Sequence, residues 1–421
     1  MRTIERYSIG TGDRFGMEGR AQVAAFAQAR ERGVEASIVW NKSNREHSLI
    51  GSEPAAQRAA ADAAVADSKW DGPYYVDADH VGLATVERFA RHCDFFTIDV
   101  ADFIGRESPP GELDAFLGRR ESLPRSPGLP AALDERAMRA AARRYLAAAL
   151  EAGAVHRRIR ELRGLAPWAT DDFVTEVSMD ETDEAQGPAE LAVILAALAD
   201  ARLPAQTIAP KFSGRFNKGV DYVGDVDAFL AEFEADLAVV AWAPAALGLP
   251  RSLKLSIHSG SDKFSLYPGI GKLIRRSGAG LHLKTAGTTW LEEVIGLAES
   301  GGEGLDIARE IYASAYARID ELVAPYAAVV DIDRGALPAP AEVSRWGGEE
   351  LAAALRHDDS DPRFDPGMRQ LVHVAFRVAA EMGDRYLTAL ERHADTVSRN
   401  VTANLWGRHM ASLFLEGETQ A

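Results

Sequence analysis

Residues 252–261 read SLKLSIHSGS, and this run decides the fold more than any other part of the chain. Its apolar and polar residues alternate, which predicts a β-strand because successive side chains of a strand point to opposite faces. One face carries Leu253, Leu255 and Ile257, and the other carries Lys254, Ser256 and His258. We expect the apolar face to pack against helices. The polar face then points into an interior where charged groups need partners, since burial without partners is costly.

The same alternation returns in residues 280–289, GLHLKTAGTT, with Leu281 and Leu283 on one face and His282 and Lys284 on the other. Six further short β-rich runs precede these two, with amphipathic helical stretches between them. They are Arg6–Gly12, Ala36–Asn44, Pro73–His80, Asp94–Asp102, Asp172–Asp180 and Ala205–Gly214. The sequence therefore predicts eight strands that alternate with helices.

Repeated strand–helix units predict an α/β fold, a (β/α)8 barrel of the TIM type. The alternative is an open, doubly wound sheet. Such a sheet usually carries a G-x-G-x-x-G phosphate loop after its first strand, whereas residues 11–16 read TGDRFG. Because active sites of these barrels lie at the C-terminal ends of the strands, we expect the site there.

Two segments exceed a minimal barrel. A helical insertion at about residues 105–170 follows the fourth strand and contains a predicted helix from Asp134 to Leu162. After the eighth strand the sequence predicts several more helices. We therefore expect a catalytic barrel at residues 1–300 and a helical extension at residues 301–421. The extension is expected to pack on the barrel as a cap or as an oligomerisation surface, and the oligomeric state stays open.

Composition argues against several classes of function. The chain has 421 residues, 47% of them hydrophobic, and a net charge of −16. Binding to nucleic acid or to anionic membranes needs clustered positive charge, so neither is expected, whereas a cleft can still bind an anionic small molecule. The single cysteine, Cys93, permits no internal disulfide. With no signal-peptide pattern and no apolar run of about 18 residues, we expect a soluble, cytoplasmic protein.

Three histidines lie near the C-terminal ends of separate predicted strands: His80, His258 and His282. Three neutral imidazoles suit one divalent ion of the Zn, Mn, Co or Ni class. Each histidine alone could instead be a hydrogen-bonded interior residue. The third and seventh strands lie opposite each other in an ideal barrel, so His80 must reach the other two from a loop.

Carboxylates surround these histidines in the sequence. We assign proton transfer to Asp79 and Glu176, since acid–base catalysis needs positioned groups of this kind. The alternative is that both are metal ligands or ion-pair partners of inward-facing lysines. Weaker candidates for the same roles are Asp77, Asp99 and Glu181.

The turns after the last two strands, HSGSDKF (258–264) and KTAGTTW (284–290), are rich in Ser, Thr and Gly. Loops of this kind often bind an anion through backbone N–H groups at a helix N-terminus, although Ser and Thr also favour an ordinary capped helix start. The run KFSGRFNKG (211–219) adds Arg215 and Lys218. The predicted substrate-binding residues are Lys211, Arg215, Lys254, Ser259, Lys263, Lys284 and Thr285.

Several long runs resemble the tagaturonate epimerase family, which interconverts tagaturonate and fructuronate. They are YSIGTGDRFG, VWNKSNREHSLIGS, VDADH, FFTIDVADFIG, FVTEVSMDETD, QTIAPKFSGRFNKGVDYVGD, LKLSIHSGSDKFS, HLKTAGTTWLEE, RQLVHVAF and NVTANL. The resemblance spans roughly residues 5–415 and so includes the helical extension. It implies an isomerase of hexuronate breakdown with a divalent metal and an anionic sugar substrate.

The chemistry that the resemblance implies inverts a carbon β to the ketone, whose C–H bond the carbonyl does not acidify. Retro-aldol cleavage and re-addition is the expected route, and transient oxidation by a nicotinamide is the alternative. A metal-dependent ketose 3-epimerase or isomerase is the rival enzyme, and it would exchange a proton α to the carbonyl. A catalytically silent sugar-acid sensor is the rival outside enzymes, and it would bind ligand without metal dependence.

Overall fold

The computed structural model describes residues 2–180, 182, 184–285 and 287–415. Eight parallel strands, paired in chain order and closed by pairing of the first with the last, form a barrel. This confirms the predicted (β/α)8 fold. Each predicted run coincides with one strand, and only β3 extends beyond its run, by one residue. The strands are β1 (Tyr7–Thr11), β2 (Ser37–Ser43), β3 (Tyr74–Val81), β4 (Phe95–Asp99), β5 (Val174–Ser178), β6 (Thr207–Ala209), β7 (Lys254–Ile257) and β8 (Leu281–Lys284).

Helices follow the strands and fill the insertion after β4. Those up to residue 300 are α1 (Gly19–Glu31), α2 (Asn44–Ile50), α3 (Pro54–Asp67), α4 (Val86–Phe89), α5 (Glu112–Arg119), α6 (Glu135–Leu162), α7 (Pro188–Asp200), α8 (Val226–Leu247), α9 (Tyr267–Ser277) and α10 (Thr288–Ser300). The long α6 begins where predicted, since the Asp134 side chain accepts a hydrogen bond from the backbone N–H of Ala137 and so caps the helix.

The remaining helices form the extension. They are α11 (Gly302–Ala317), α12 (Ile319–Val323), α13 (Pro340–Val343), α14 (Gly348–Leu355), α15 (Pro366–Val374), α16 (Phe376–Met382), α17 (Asp384–Arg392), α18 (Ala394–Ala403), a π-helical segment (Asn404–Ala411) and α19 (Ser412–Phe414). Among all described helices, none combines the length and the apolar character needed to cross a membrane.

The barrel interior has an apolar end and a polar end. Inward-facing apolar side chains early in the strands form a cluster of their own: Ile4, Val39, Tyr75, Phe95 and Val174. Further along the strands the inward positions are polar and buried: Ser8, Asp77, Thr97, Glu176, Thr207, Ser256, His282 and Lys284. Leu255 and Ile257 face the outer helices within the main core, which confirms the alternation predicted for β7.

Strand β3 carries an irregularity that positions two neighbouring polar residues. The pairing of β3 with β4 shifts register between Ala78 and Val81, and His80 has a positive φ of 53°. Strict alternation would turn Asp79 and His80 to opposite faces of the sheet. Bulges re-aim side chains in this way, and both residues line one cavity at the C-terminal end of the barrel.

The extension packs on the barrel through a second apolar cluster. This cluster joins α10 with several helices of the extension, and Phe15 and Met17 from the loop after β1 pack against it. At the contact of α10 with α18, a Cβ added to Gly296 would lie 2.7 Å from Val397 Cα. Leu413 and Phe414 from the end of the chain belong to the barrel core.

We predict that Gly296→Ala lowers the free energy of unfolding by about 1–3 kcal/mol, because the added methyl group overpacks a contact with backbone atoms. Gly118→Ala is the matched control, since Gly118 lies inside α5 and its added Cβ meets nothing within 4 Å. That change is expected to stabilise the protein by up to about 1 kcal/mol. Urea denaturation measures both variants, and equal stability would contradict the tight packing of α18 on α10.

Candidate active site

A cavity of about 350 Å³ opens at the C-terminal ends of the strands. Loops or strand ends from all parts of the barrel line it, and so does the extension. The lining residues that matter below are Arg14, Arg45, Glu46, Asp79, His80, Asp99, Asp180, Lys218, His258, Ser259, Lys284, Tyr326 and His373. A second cavity of about 510 Å³ adjoins it and shares Asp180, Lys218, His258 and Ser259 among its lining residues.

The Lys284 ammonium lies at the centre of the site. Its Nζ is 2.6 Å from Asp79 Oδ1, 3.1 Å from Asp77 Oδ2 and 3.0 Å from Glu176 Oε1, and it donates to Thr97 Oγ1 at 2.6 Å. Burial disfavours the ammonium, but these three carboxylates outweigh burial and hold the pKa of Lys284 well above its ordinary value. Lys284 is therefore a compensated interior cation and has little remaining charge for an anionic ligand.

Each of two imidazoles in the cavity is held by a carboxylate at one of its nitrogens. His80 Nδ1 lies 3.0 Å from Asp99 Oδ2, and His258 Nε2 lies 2.8 Å from Glu176 Oε1. The two rings are 5.2 Å apart between centroids. His80 lies within β3 and not in a loop as predicted, and it reaches across the barrel to His258 because the bulge in β3 turns it inward.

The second nitrogen of each ring faces other carboxylates. His80 Nε2 is 3.8 Å from Asp79 Oδ1. His258 Nδ1 is 3.1 Å from Asp180 Oδ1, yet it is buried without a partner in hydrogen-bond geometry. Burial opposes a charge on either ring, but nearby carboxylates, chiefly those of Asp79 and Asp99 for His80 and of Asp180 for His258, raise their pKa values to about 10 and about 9.

Negative charge predominates at this part of the cavity. Among the described residues, five carboxylates meet there against the ammonium of Lys284: Asp77, Asp79, Asp99, Glu176 and Asp180. Such an excess needs further positive charge, which either protonated imidazoles or a bound cation can supply.

His282 lies one layer below the other two histidines. It faces inward as predicted, but in the sheet it lies opposite Ser256 of β7 and Ser8 of β1. Ser256 comes two residues before His258 in the sequence. Its Nδ1 is 2.8 Å from Ser8 Oγ, and burial lowers its pKa to about 3. His282 does not line the cavity, so the structure does not bring the three predicted ligands together.

Glu176 is likewise beneath the cavity rather than on its wall. It accepts hydrogen bonds from Thr207 and Thr97 and contacts both His258 and Lys284. Asp79, the other predicted proton-transfer group, lines the cavity. Of the weaker candidates, Asp99 lines the cavity, Asp77 lies below it, and Glu181 is outside the described residues.

The predicted substrate-binding residues are dispersed. Lys254 donates to the backbone carbonyls of Glu5 and Arg6 at the N-terminal end of the barrel. Lys263 donates to three backbone carbonyls beneath the loop after β7, and Thr285 donates to the carbonyl of Gly10.

The other four predicted residues lie at the two cavities. Lys211 and Arg215 line only the second, outer cavity. Ser259 lines both cavities, and Lys284 lines the first. Period-2 alternation identifies which face a residue occupies but not its height along the barrel, so it grouped residues from different layers.

Residues that the sequence did not single out complete the wall. Arg14 comes from the loop after β1 and Arg45 from the start of α2, and His373 and Tyr326 come from the extension. Charged residues just after β1 and β2 were a usable signal for the two arginines, since barrel sites form from such loops. Nothing in the local sequence around His373 connects it with a strand end some 90 residues earlier.

The donor types at the cavity fit a divalent transition metal, although no ready-made ligand set is present. Within residues 2–180, 182, 184–285 and 287–415, no three His, Cys, Asp or Glu side chains are arranged to hold a metal ion. A histidine that binds a metal usually gives its other nitrogen to a carboxylate. His80 with Asp99 and His258 with Glu176 follow this pattern. His258 Nδ1 and His282 Nε2 are among the buried polar atoms that make no hydrogen bond within the described residues.

We predict that Lys284→Met lowers the free energy of unfolding by about 3–5 kcal/mol, because it leaves buried carboxylates uncompensated. Lys211→Met is the control, since Lys211 lines the outer cavity and is only half-buried; its effect is expected to stay within about 0.5 kcal/mol. Chemical denaturation compares the two. A Lys284→Met variant as stable as the parent would contradict the central role of the ammonium.

Comparison with known proteins gives consistent matches. The family model of tagaturonate epimerases (UxaE) matches residues 160–413. The tagaturonate/fructuronate epimerase of Thermotoga maritima is 27% identical over 95% of this chain and 79% of its own length. The native crystal structure of the fructuronate-tagaturonate epimerase UxaE from Cohnella laeviribosi aligns with a TM-score of 0.77 at 24% identity, over 98% of this chain and 82% of that one.

A form of the Cohnella enzyme with two glycerol molecules aligns over the same shares, with a TM-score of 0.79 at 22% identity. These structures support the barrel fold over nearly the whole chain. The family match covers more than half of the chain and includes β5 to β8 with most of the extension. The chain therefore belongs to the tagaturonate epimerase family of enzymes.

Proposed function

We propose that this protein interconverts D-tagaturonate and D-fructuronate with the help of one divalent metal ion, by cleavage and re-formation of a carbon–carbon bond. The observation that supports the metal is the pair of imidazoles at the cavity, each with one nitrogen held by a carboxylate and the other near a second carboxylate. The family match supports the substrate pair.

His80 and His258 would hold the metal through His80 Nε2 and His258 Nδ1, the nitrogens that Asp99 and Glu176 leave free, and Asp180 is the carboxylate nearest to His258 Nδ1. Asp99 and Glu176 orient the two rings, as carboxylates next to metal-binding histidines do. His282 has no part in this set, since its Nδ1 is bound to Ser8 a layer below. A divalent ion of the Zn, Mn, Co or Ni class would supply positive charge beside the ketone oxygen.

Asp79 is the carboxylate that we assign to proton transfer. It lines the cavity, lies next to His80 and is paired with Lys284 at 2.6 Å. Burial raises its pKa, but Lys284 and the imidazoles act more strongly in the other direction and lower it, so Asp79 is ionised and can accept a hydroxyl proton. Glu176 then acts as a positioning residue for His258.

Cleavage suits the carbon that is inverted. Asp79 would take the proton from the hydroxyl of that carbon, whose bond to the neighbouring carbon breaks and leaves its electron pair in an enediolate. The other fragment is an aldehyde, which turns its opposite face to the enediolate. Bond formation on that face and return of the proton to the oxygen complete the inversion, and the C–H bond never breaks.

We expect a chelator to abolish epimerase activity with tagaturonate and one divalent ion to restore it, because the carboxylate-rich cavity needs compensating charge. Activity is followed by NMR of both uronates, and metal content is measured on the purified protein. Full turnover by metal-stripped protein would refute the proposed metal dependence.

Two histidine variants distinguish the ligands from the layer below. His258→Ala is expected to lose at least about 10- to 100-fold in metal affinity, the scale seen when support of a metal site is removed. His282→Gln should bind metal like the parent, in proportion to its folded fraction by circular dichroism. Loss of metal only in His282→Gln would reverse the assignment.

The cleavage route predicts that inversion in deuterated water places no deuterium on the inverted carbon. It also predicts that dihydroxyacetone leaks slowly during turnover, and that the enzyme condenses dihydroxyacetone with tartronate semialdehyde to both uronates. Deuterium at the inverted carbon would indicate proton abstraction. A nicotinamide released on denaturation, without any condensation, would replace cleavage by transient oxidation.

A further inference from the structure

Three cations outside the carboxylate cluster line the same cavity: Arg14, Arg45 and Lys218. They come from the loop after β1, the start of α2 and the loop after β6, so they approach the cavity from different sides of the barrel. We propose that these three side chains bind the carboxylate of the sugar-acid substrate. The inference rests on the proposed function and names the subsite that makes the enzyme specific for uronates.

Arg14 is the strongest element of this subsite. Its side chain is 8% exposed, and its Nε donates to Glu46 Oε1 at 3.1 Å. Its Nη1 is buried and has no hydrogen-bond partner among the described residues, which is costly for a charged group unless a ligand supplies one. A guanidinium can bind a carboxylate through two N–H groups.

The helical extension holds the cations in position. The Arg14 guanidinium lies over the Phe376 ring at 4.4 Å, and the Arg45 guanidinium lies over the Tyr326 ring at 4.7 Å. Lys218 Nζ is 6.0 Å from the centroid of the same Tyr326 ring. Cation–π contacts of this kind orient a cation without neutralising its charge.

Arg14 pairs with one carboxylate at the cavity wall. Glu46 Oε1 accepts from Arg14 Nε, and the Glu46 carboxylate also accepts hydrogen bonds from Ser43. His373 faces the cavity beside the cations, and burial together with Arg14 and Lys218 holds its pKa well below the ordinary value. A neutral imidazole adds polarity but no charge.

The carboxylate cluster around Lys284 would repel the same substrate group. Among the described residues, five carboxylates are grouped around Lys284 at the proposed reaction centre, while Arg14, Arg45 and Lys218 line the cavity outside that group. A substrate with a carboxylate at one end and a ketone at the other fits only one orientation.

The test compares tagaturonate with tagatose, which has a hydroxymethyl group where tagaturonate has its carboxylate. Arg14→Met and Lys218→Met are prepared as metal-loaded enzymes. Each is expected to weaken tagaturonate binding by about 10- to 100-fold, the loss typical of one hydrogen bond to a charged group. Tagatose binding should change by less than about twofold, since that sugar lacks the charge. Titration calorimetry measures both sugars, and kinetics should show the loss in KM rather than in kcat.

Arg215→Met is the matched control, because Arg215 lines only the outer cavity and pairs with Asp331. It should bind both sugars like the parent. Equal losses for the two sugars in Arg14→Met and Lys218→Met would overturn the subsite, as would a loss of tagaturonate binding confined to Arg215→Met. Lys218 is half-buried and its variant should fold even if Arg14→Met does not.

The possible outcomes distinguish failure of the proposed subsite from failure of the proposed function. A parent enzyme that prefers tagaturonate over tagatose in binding but does not epimerise it would leave the subsite in place and remove the proposed reaction. A parent enzyme that binds both sugars equally would contradict the proposed subsite, whatever its epimerase activity.

Discussion

The pairing of one buried ammonium with three buried carboxylates is the interaction on which the rest of the site depends. Barrel interiors are usually filled with branched apolar side chains, but here the layer nearest the strand ends is ionic. Lys284 reaches Asp77, Asp79 and Glu176, which come from two strands on the far side of the barrel from β8. Because burial of uncompensated charge costs several kcal/mol, this network fixes the side chains that face the cavity.

The same network also positions the imidazoles at the cavity. Glu176 contacts Lys284 with the same oxygen that lies 2.8 Å from His258, so the ammonium and the imidazole constrain each other's position. On the other side, the bulge in β3 allows Asp79 and His80 to face one cavity. Strained backbone at His80 is the kind of cost that persists where surrounding structure enforces it. The result is a preorganised set of nitrogen and oxygen donors.

The helical extension is part of the active site and not only a cover. Phe376 and Tyr326 contact the arginines of the wall, and His373 lines the cavity itself. A buried ion pair between Arg369 of α15 and Asp262 in the loop after β7, at 2.8 Å, ties the extension to the loop that carries His258. The barrel supplies the carboxylates and the arginines of the cavity, while the extension supplies aromatic rings that contact the arginines and one wall residue, His373.

The sequence by itself determined the barrel and the residues at the end of it. Alternation in β7 and β8 predicted an inward polar row, and His258 and Lys284 line the cavity as it indicated. Asp79 and His80 were predicted from their place at a strand end, and both face the cavity because β3 is irregular there. The periodicity of a strand reports the face of a side chain, because its period of two is fixed by backbone geometry.

Only the tertiary structure decided the height of each group and its partners. His282 and Lys254 share the inward face with His258, yet register between strands puts the first a layer lower and directs the second to carbonyls at the other end of the barrel. Arg14 and His373 meet at one cavity although more than 350 residues separate them. Such meetings depend on strand stagger and on the docking of the extension, which arise from packing of the whole chain and leave no local pattern to read.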